Sequence, residues 1–437
     1  MVDSEVLLGH VAEEGLAIAR EPEHADVVVI NTCGFVEDAK QESIDTILDA
    51  CRLKAEGIVK GVIAVGCLAQ RYQRELGEQL PEVDAVLGIT DYSGIPAVVR
   101  RIVNGSDKRF TATVDGGKPK SARSDVGRLL LTPKSYAYLR ISEGCDHKCA
   151  FCAIPSMRGR NRSKPEDVLL EEARDLARHG VKEIVVVAED STAYGLDTHR
   201  ERRIHSLLEQ IADVEGIRWV RLMYAYPHTV SSELTAVLRE HPNVVPYLDI
   251  PVQHISGPML RAMKRGTESA QVRRILERLR QEVPGIAVRT TFIVGFPGET
   301  EADFAELRDF VAEYEFERMG VFPYSDEEGT AAFGAAGRVP PEVAEERRGE
   351  LMELQREIVE QRNRSLLGQT LDVIVDGRDP EGDALVGRTF ADAPEVDCVV
   401  RLAADAAPIG HVVPVRIDEV DGYDLKGSAA VVPGGGE

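Results

Sequence analysis

Between residues 134 and 362, runs of β-branched and aromatic residues alternate with stretches of helical periodicity. Glu183–Ala188 and Ala287–Val294 are two of the strand-like runs, and each is followed by a segment long enough for a helix. This alternation is typical of βα units, in which consecutive strands pair in parallel across a helix. With about six such units, the chain predicts a partial (β/α) barrel whose functional site lies at the carboxyl ends of the strands.

The segments on either side of this region have different patterns. Residues 1–105 contain two short apolar runs, each followed by a helical stretch, which predicts a small α/β domain with a parallel sheet. Residues 106–133 are rich in Gly, Lys and Ser and predict a linker. Residues 366–432 carry short strand-like runs separated by Gly, Pro and Asp, as in a small all-β barrel. The predicted fold class is therefore α/β, with the βα units in a central domain at 134–365.

The chain is strongly acidic, with a formal net charge of −22 over 437 residues. Fourteen acidic and five basic residues lie between residue 368 and the end of the chain, so this C-terminal segment alone carries a charge of −9. A protein that binds a nucleic-acid backbone needs a basic surface, whereas an acidic surface attracts basic proteins. The charge therefore favours a protein partner over RNA or DNA. The sequence has neither an apolar run of about 18 residues nor a basic, then apolar leader, which predicts a cytoplasmic protein without a membrane span.

Two local patterns carry expectations about single residues. Ser163, followed three residues later by Glu166, predicts a capping box at the start of a helix. His254 follows the strand-like run Val245–Ile250, at the edge where a (β/α) barrel places its site. It is therefore either a site residue or a hydrogen-bonded structural histidine, and the sequence leaves both interpretations open.

Three of the seven cysteines have the spacing C-x3-C-x2-C, at Cys145, Cys149 and Cys152. Three thiolates in so short a stretch can wrap one face of an iron–sulfur cubane, and cysteine runs of this kind hold such clusters. The alternative is a structural zinc site, but that needs four ligands, and His147, the nearest candidate, lies inside the ligand loop. A cluster with three protein ligands leaves one iron open, and catalysis requires an open position.

Cys33 and Cys67 each follow a strand-like run within residues 1–105, and each precedes a helical stretch. Because ligands sit beyond the carboxyl ends of parallel strands, this placement predicts a shared metal site, with two buried structural cysteines as the alternative. Cys51, in the middle of a predicted helix, and Cys398, in the predicted barrel, are expected to be structural.

The C-x3-C-x2-C motif, with Phe151 before its last cysteine, resembles the signature of the radical S-adenosylmethionine superfamily. The resemblance implies that the three cysteines hold a [4Fe–4S] cluster whose open iron binds S-adenosylmethionine. Reductive cleavage of this cofactor would yield a radical able to take hydrogen from an unactivated carbon. The resemblance also implies cofactor contacts at Phe151, Glu189, Asp190 and Gly295. At Gly295 a simple βα turn is the alternative.

The order of an N-terminal α/β domain, a radical domain and a small β-barrel resembles the methylthiotransferase family over nearly the whole chain. Members hold a second [4Fe–4S] cluster on three cysteines of the N-terminal domain, which implies ligand roles for Cys33 and Cys67. The family's third cysteine precedes a motif that here is Asp3-Ser4-Glu5, and this chain begins at Met1, so the third ligand is missing from it. We therefore expect either a start codon further upstream or a second site that binds its cluster weakly.

One branch of this family modifies an adenosine in tRNA, and the other modifies an aspartate of small-subunit ribosomal protein S-12. Three stretches resemble the second branch: Pro155–Gly159, Glu189–Gly195 (with Glu189 in place of the family's Gln) and Asp392–Asp397. The resemblance implies methylthiolation of the aspartate β-carbon, with S-12, an electron donor and a sulfur source as partners. Methylthiolation of tRNA and a non-catalytic iron–sulfur scaffold that binds ribosomes stay open as alternatives. We expect the acidic residues of the last stretch to help dock S-12.

Overall fold

The computed structural model describes residues 1–105, 122–379, 382–404 and 406–429, and these fall into two compact units. The first unit combines the stretches Met1–Leu131, Glu143–Arg162 and Ser325–Gly334, and the second combines Thr132–Ser142, Ser163–Tyr324 and Ala335–Glu437. Part of the predicted linker and the end of the predicted barrel lie outside the described residues, at 106–121 and 430–432. The predicted domain boundaries at residues 105, 133 and 365 stay predictions.

A three-stranded parallel sheet lies in the first unit, with its strands in chain order. Strands β1 to β3 are Val27–Thr32, Gly61–Gly66 and Ala85–Leu87. Helices α1 to α5 are Val2–Glu13, Glu37–Ala55, Cys67–Arg71, Gln73–Gln79 and Ile95–Val103, with 3-10 turns at Pro22–His24 and Tyr92–Gly94. Every residue of β2 is buried, as its uninterrupted apolar sequence requires. Cys51 of α2 belongs to the same hydrophobic cluster as Ile47 and Val62, which confirms its structural role.

The region of βα units follows the three-stranded sheet in the chain. Strands β4 to β11 are Tyr136–Arg140, Ser142–Glu143, Arg162–Ser163, Glu183–Val187, Trp219–Leu222, Val244–Asp249, Ala287–Val294 and Arg318–Pro323. Helices α6 to α14 are Ile154–Met157, Glu166–Arg178, Leu196–His199, Ile204–Ala212, Ser232–Glu240, Gly257–Ala262, Ser269–Glu282, Glu301–Tyr314 and Pro341–Ser365, with 3-10 turns at Ser191–Ala193 and Pro227–Thr229. Six strands form one open parallel sheet in the order β4–β7–β8–β9–β10–β11, as a partial barrel requires.

One of the predicted helix starts is wrong. Helix α7 begins directly after Pro165, too late in the chain for Ser163 to cap it, and the Ser163 hydroxyl donates to Asp197 instead (2.6 Å). A capping box does occur at the start of α13. There the N–H of Asp303 donates to the Thr300 hydroxyl (3.2 Å), and the Asp303 carboxylate accepts from the N–H of Thr300 (3.0 Å). Because the residue before a proline is disfavoured in the helical conformation, Pro165 keeps Lys164 out of α7, and the helix starts after the position that the serine marks.

The C-terminal strands close into a barrel. Strands β12 to β16 are Thr370–Arg378, Leu385–Arg388, Val400–Leu402, Val412–Asp421 and Asp424–Ala429, in the barrel order β12–β13–β14–β16–β15. The sequence does not indicate β16, because Leu425 is its only fully buried residue and apolar alternation is absent. The barrel and the two parallel sheets confirm the predicted fold class. Over the ranges described above, no helix combines the length and the apolar character needed to cross a membrane.

The acidic loop between β13 and β14 packs on the six-stranded sheet. Asp392 is buried and forms an ion pair with Arg318, while Asp397 accepts a hydrogen bond from Arg289 (3.3 Å). Glu395 is exposed. The expectation that Asp392 and Asp397 help to dock a protein partner is therefore wrong. The sequence shows their charges but does not show the arginines of the strands that they face.

Candidate metal and cofactor site

The cysteine motif lies on a closed loop of the first unit. Gly144, at the start of this loop, has a φ of +81°, and a Cβ atom there would lie 2.3 Å from the carbonyl oxygen of Arg160. Only glycine therefore lets the two ends of the loop approach so closely. The N–H of Cys145 donates to the carbonyl of Gly159 (3.1 Å) and joins the two ends. The fold thus gathers the three motif cysteines on one short loop.

The motif cysteines place three half-buried thiols on one short turn of the chain. The N–H of Cys152 donates to the carbonyl of Cys149 (3.2 Å), which turns the chain between the last two cysteines, and all three are half-buried. Across the described residues, no three Cys, His, Asp or Glu side chains are gathered closely enough to hold one metal ion. A cubane has a separate iron for each thiolate, so its ligands stand farther apart than those of a single ion such as zinc. Three half-buried thiols on one closed loop fit this donor set.

The second pair of cysteines also lies together. Cys33 and Cys67 follow the adjacent strands β1 and β2, whose last residues are paired across the sheet. Gly34 lies so close to the backbone that follows Cys67 that a Cβ atom on it would be 2.9 Å from the nitrogen of Leu68. This contact brings the two cysteines to the same edge of the sheet, with Cys33 exposed and Cys67 half-buried. Their role as ligands of a second cluster stays a prediction.

Arg158, which follows α6, reaches this second pair. Its Nη2 atom lies 3.5 Å from the Sγ of Cys67 and 2.5 Å from the carboxylate of Asp3. Burial raises the pKa of the Cys67 thiol, and the guanidinium opposes this rise because it stabilises the thiolate. The sequence does not separate Arg158 from its neighbour Arg160, which is exposed and pairs with Asp146 at the surface (3.0 Å).

A distant segment of the chain, Ser325–Gly334, also belongs to the first unit. Its buried Glu327 pairs with Arg71 (3.0 Å), and Arg71 donates to the carbonyl of Gly34 (2.8 Å), beside one cysteine of the second pair. A backbone N–H of the same segment donates to the carbonyl of Ala150 (2.9 Å), within the cysteine loop. One segment therefore contacts both cysteine sites. No sequence pattern indicates the contact with Arg71, because Glu327 lies 256 positions away in the chain.

The four residues predicted to contact the cofactor lie in both units. Phe151 is half-buried in the cysteine loop of the first unit. In the second unit, Glu189 and Asp190 follow β7 and Gly295 follows β10, so these three share the carboxyl edge of the sheet. Asp190 is buried, and its carboxylate accepts from the N–H (3.0 Å) and the hydroxyl of Thr192, so it caps a turn. Glu189 stays half-buried at the edge. Contacts of all four with S-adenosylmethionine stay predictions.

His254 is a structural histidine, which settles the alternative that the sequence leaves open. The buried carboxylate of Glu299 pairs with the Nε2 of His254 (3.1 Å) and with Arg347 (2.7 Å), and it also accepts from the N–H of Gly295. The Nδ1 of His254 accepts from the two backbone N–H groups that follow it (3.0 Å each), so both ring nitrogens are satisfied. Gly295 is required for this turn, since its φ is +74° and a Cβ atom would lie 2.5 Å from that of Ala344.

Two residues that the sequence does not indicate have a left-handed backbone at the same edge. Tyr224, after β8, has a φ of 62°, and Gln253, after β9, has a φ of 78°. This conformation costs roughly 1–3 kcal/mol for a residue other than glycine, and it occurs preferentially at functional sites. Two hydrogen bonds hold it at Tyr224: its N–H donates to the carboxylate of Asp249 (3.1 Å), and its carbonyl accepts from the N–H of Ser191 (3.0 Å).

The side chain of Tyr224 is placed to meet a ligand. Tyr224 is 44% exposed, although the surrounding protein raises the pKa of its phenol, first by desolvation and then through the charge of Asp249. An exposed aromatic side chain on a strained backbone at the carboxyl edge of the sheet is available to a ligand. We therefore add Tyr224 to the candidate site residues.

Three family descriptions match the chain. They are Uncharacterized protein family UPF0004 over residues 1–88, Radical SAM superfamily over residues 139–311 and TRAM domain over residues 367–430. The cysteine loop lies within the second match and the five-stranded barrel within the third. Fold and cysteine loop together define a radical S-adenosylmethionine enzyme, the class that uses a [4Fe–4S] cluster and S-adenosylmethionine as its cofactors.

Curated relatives match nearly the whole chain. The ribosomal protein uS12 methylthiotransferase RimO of Desulforamulus reducens is 43% identical over 432 residues, 98% of this chain and 97% of the relative. RimO of Anaeromyxobacter sp. (strain Fw109-5) is 45% identical over 427 residues, 98% of this chain and 90% of the relative. RimO of Acetivibrio thermocellus is 42% identical, with 98% and 95% covered. The chain belongs to the RimO family of ribosomal protein uS12 methylthiotransferases, which confirms the predicted resemblance.

Solved structures of other radical enzymes share the fold. TsrM from Kitasatospora setae, with tryptophan substrate and the S-adenosylmethionine analogue aza-SAM bound, has a TM-score of 0.52 at 15% identity, covering 73% of this chain and 69% of TsrM. TsrM with cobalamin and a [4Fe-4S] cluster bound has a TM-score of 0.51 at 14% identity, covering 76% and 70%. At these identities the likeness shows the fold alone.

Proposed function

We propose that the protein attaches a methylthio group to the β-carbon of an aspartate of ribosomal protein uS12. The observation that carries this proposal is the identity of 43% and 45%, over 98% of the chain, to relatives named for that reaction. The C–H bond at an aspartate β-carbon is unactivated, so ordinary acid–base chemistry does not cleave it and a cofactor radical is needed. Neither tRNA methylthiolation nor a non-catalytic scaffold is favoured by these relatives.

In this proposal, Cys145, Cys149 and Cys152 hold the radical cluster, and Cys33 and Cys67 contribute to a second one. When bound, the first cluster and S-adenosylmethionine supply the radical that removes hydrogen from the β-carbon. The closed loop keeps the three motif cysteines on one short stretch of chain and so prepares them to bind the cluster.

The cofactor is oriented, in this proposal, by Phe151, Glu189, Asp190 and Gly295. Of these, Glu189 is half-buried at the carboxyl edge of the sheet, where a carboxylate can accept hydrogen bonds from a ligand. Asp190 contributes from a buried turn. Gly295 has a φ of +74° and no side chain, so it adds no bulk at the same edge. Orientation of this kind is what the protein contributes when a cofactor carries the chemistry.

The charge of the barrel supports a protein partner. Asp392 and Asp397 are paired internally, whereas Asp418, Glu419 and Asp421 are exposed on the β15–β16 hairpin. Within the part of the chain that the structure describes, the three acids share only Arg416 and Lys426 as ion-pair partners, so the hairpin keeps a negative charge that can attract a basic protein such as uS12. An electron donor and a sulfur source complete the set of partners. A ribosomal protein as substrate supports the proposal that the reaction takes place in the cytoplasm.

Mass spectrometry of uS12 and of tRNA tests the proposal. Both are isolated from a strain that lacks the gene, and from the same strain restored with the wild-type gene or with a Cys149→Ala copy. We expect uS12 to gain one methylthio group only with the wild-type copy. Loss and return of methylthioadenosine in tRNA, with uS12 unchanged, would contradict the proposal.

A further inference from the structure

The barrel is fixed to the six-stranded sheet through the loop between β13 and β14. Phe390 and Ala393 of this loop belong to one hydrophobic cluster with Val185, Trp219 and Tyr247 of the sheet. The three sheet residues come from three adjacent strands, so the loop lies across the face of the sheet. Charged residues at this contact can therefore couple the position of the barrel to the positions of residues in the sheet.

Two acidic residues of the loop reach different parts of the sheet. Asp392 pairs with Arg318, the first residue of β11, and accepts from the hydroxyl of Thr389 (2.6 Å), which belongs to the loop itself. Asp397 accepts from the Nε of Arg289 (3.3 Å), which lies within β10. The first contact stays at the amino end of a strand, whereas the second reaches into the sheet.

Arg289 continues the second contact to the carboxyl edge. Its Nη1 donates to the Oδ1 of Asp249 (3.1 Å), the last residue of β9, and the Oδ2 of Asp249 accepts from the N–H of Tyr224 (3.1 Å). The side chains of Asp397, Arg289 and Asp249 are 3%, 15% and 0% exposed. A continuous chain of shielded, charge-assisted hydrogen bonds therefore runs from the barrel to the backbone of Tyr224.

We propose that Asp397 is a positioning residue for the reaction: through Arg289 and Asp249, it holds Tyr224 in the left-handed conformation that presents its ring to the protein substrate. This inference rests on the proposed function, because it takes uS12 as that substrate. The planar guanidinium of Arg289 donates to both carboxylates at once, so it fixes Asp249 relative to the barrel. The N–H bond to Asp249 in turn holds the strained backbone of Tyr224.

Asp397→Asn and Asp392→Asn form a matched pair of variants. Both remove one buried charge from the same loop and weaken the pairing of one arginine. Each carboxylate also accepts from one hydroxyl, Asp397 from Tyr247 (2.9 Å) and Asp392 from Thr389 (2.6 Å), so both variants should lower the melting temperature to a similar degree. Only Asp397→Asn should disturb Tyr224. The full-length protein is labelled with 3-fluorotyrosine, and the resonance of Tyr224 among the 11 tyrosines is assigned by its loss in Tyr224→Phe. We expect Asp397→Asn to shift this fluorine resonance and Asp392→Asn to leave it in place.

Kinetics of the reconstituted enzyme provide the second measurement. Asp397→Asn should raise the KM for uS12 roughly tenfold, and more than it lowers kcat, because a misplaced contact weakens substrate positioning. Arg289→Lys should behave in the same way, since an ammonium does not reproduce the two-carboxylate fork. Asp392→Asn should stay within about twofold of the wild-type KM.

Equal fluorine shifts in the two asparagine variants, or an unshifted resonance in Asp397→Asn, would overturn the inference and leave Asp397 a purely structural residue. An unchanged KM with a shifted resonance would likewise remove the role in substrate positioning. If the wild-type enzyme does not modify uS12 at all, the proposed function fails separately, and the fluorine resonance still decides whether Asp397 positions Tyr224.

Discussion

The Nη2 atom of Arg158 lies 3.5 Å from the sulfur of Cys67. Arg158 lies near the end of the cysteine loop, whereas Cys67 belongs to the second cysteine pair. The same guanidinium pairs with Asp3 of α1 (2.5 Å). One side chain therefore ties the two cysteine sites and the first helix together within the first unit.

Replacing Arg158 by Ala should loosen both of these connections. Loss of the partly buried guanidinium leaves Asp3 without this charged partner, at a cost of about 1–3 kcal/mol. Hydrogen exchange should therefore become faster in peptides that cover Val2–Glu13 and Cys145–Arg158, measured by mass spectrometry on the metal-free protein. Arg160→Ala is the matched control, because its surface ion pair contributes little. Equal exchange in the two variants would contradict the connection.

Replacing Cys145, Cys149 or Cys152 by Ala should abolish cleavage of S-adenosylmethionine. Each change removes one of three protein ligands, so about four irons per chain should be lost with the cluster. Iron is measured by colorimetric assay, and 5′-deoxyadenosine by chromatography. Cys51→Ala is the control, since Cys51 lies in the core of the first domain and should not affect bound iron. Full cleavage activity in any of the three loop variants would rule out this ligand assignment.

Glu327→Gln should destabilise the first unit and disturb the second cysteine pair. Lys40 (3.1 Å) and Arg71 (3.0 Å) would lose their shared anionic partner, and breaking a buried ion pair costs about 3–5 kcal/mol. Thermal and urea unfolding of the metal-free protein measure the loss. Glu328→Gln is the matched control, because this side chain is exposed. Similar unfolding of the two variants would show that the segment is not anchored through Glu327.

Glu183 should make the fold sensitive to acid. Desolvation alone would raise its pKa, but Arg221 (2.6 Å) and Arg388 (2.8 Å) outweigh it and hold the pKa below the ordinary value of 4.5. The folded-state pKa is thus the lower one, so the carboxylate stabilises the fold above about pH 4.5. That contribution is lost as the pH falls through the folded-state pKa.

Glu183→Gln should therefore lower the melting temperature at pH 7 and flatten its dependence on pH below 4.5, as measured by calorimetry across that range. Glu345→Gln is the control, since its partner Arg348 lies on the same exposed face of α14 and surface pairs contribute little. An undiminished slope below pH 4.5 in Glu183→Gln would assign the acid sensitivity to other groups.

Local periodicity made most of the fold predictable. Ala287–Val294 is observed with the bounds that the sequence indicates, because its β-branched residues mark a buried strand by themselves. The positions of Cys33 and Cys67 after two strands indicated their closeness for the same local reason. Strand β16 was not predictable, since its single fully buried residue, Leu425, gives no period.

The partners of the charged residues were not predictable, because they depend on how distant strands meet. The sequence around Asp397 predicts an acidic residue on the surface. In the structure Asp397 faces Arg289, which lies 108 positions away in the chain. The left-handed backbone of Tyr224 depends on Asp249, which follows 25 positions later. Neither relationship leaves a pattern in a window of a few residues, so both required the three-dimensional structure.

Asp392 and Asp397 make the barrel specific for the six-stranded sheet of its own chain, because they pair with Arg318 and Arg289 of that sheet. In a chimera with the barrel of an enzyme of another specificity, both arginines would be buried against the residues of a foreign loop, which need not include acidic partners for them. An unpaired buried charge costs several kcal/mol, enough to remove much of the stability of a typical domain. Exchange of barrels between such enzymes therefore requires that the loop and the two arginines be transferred together. The barrel is inherited jointly with the two arginines of the sheet that it contacts.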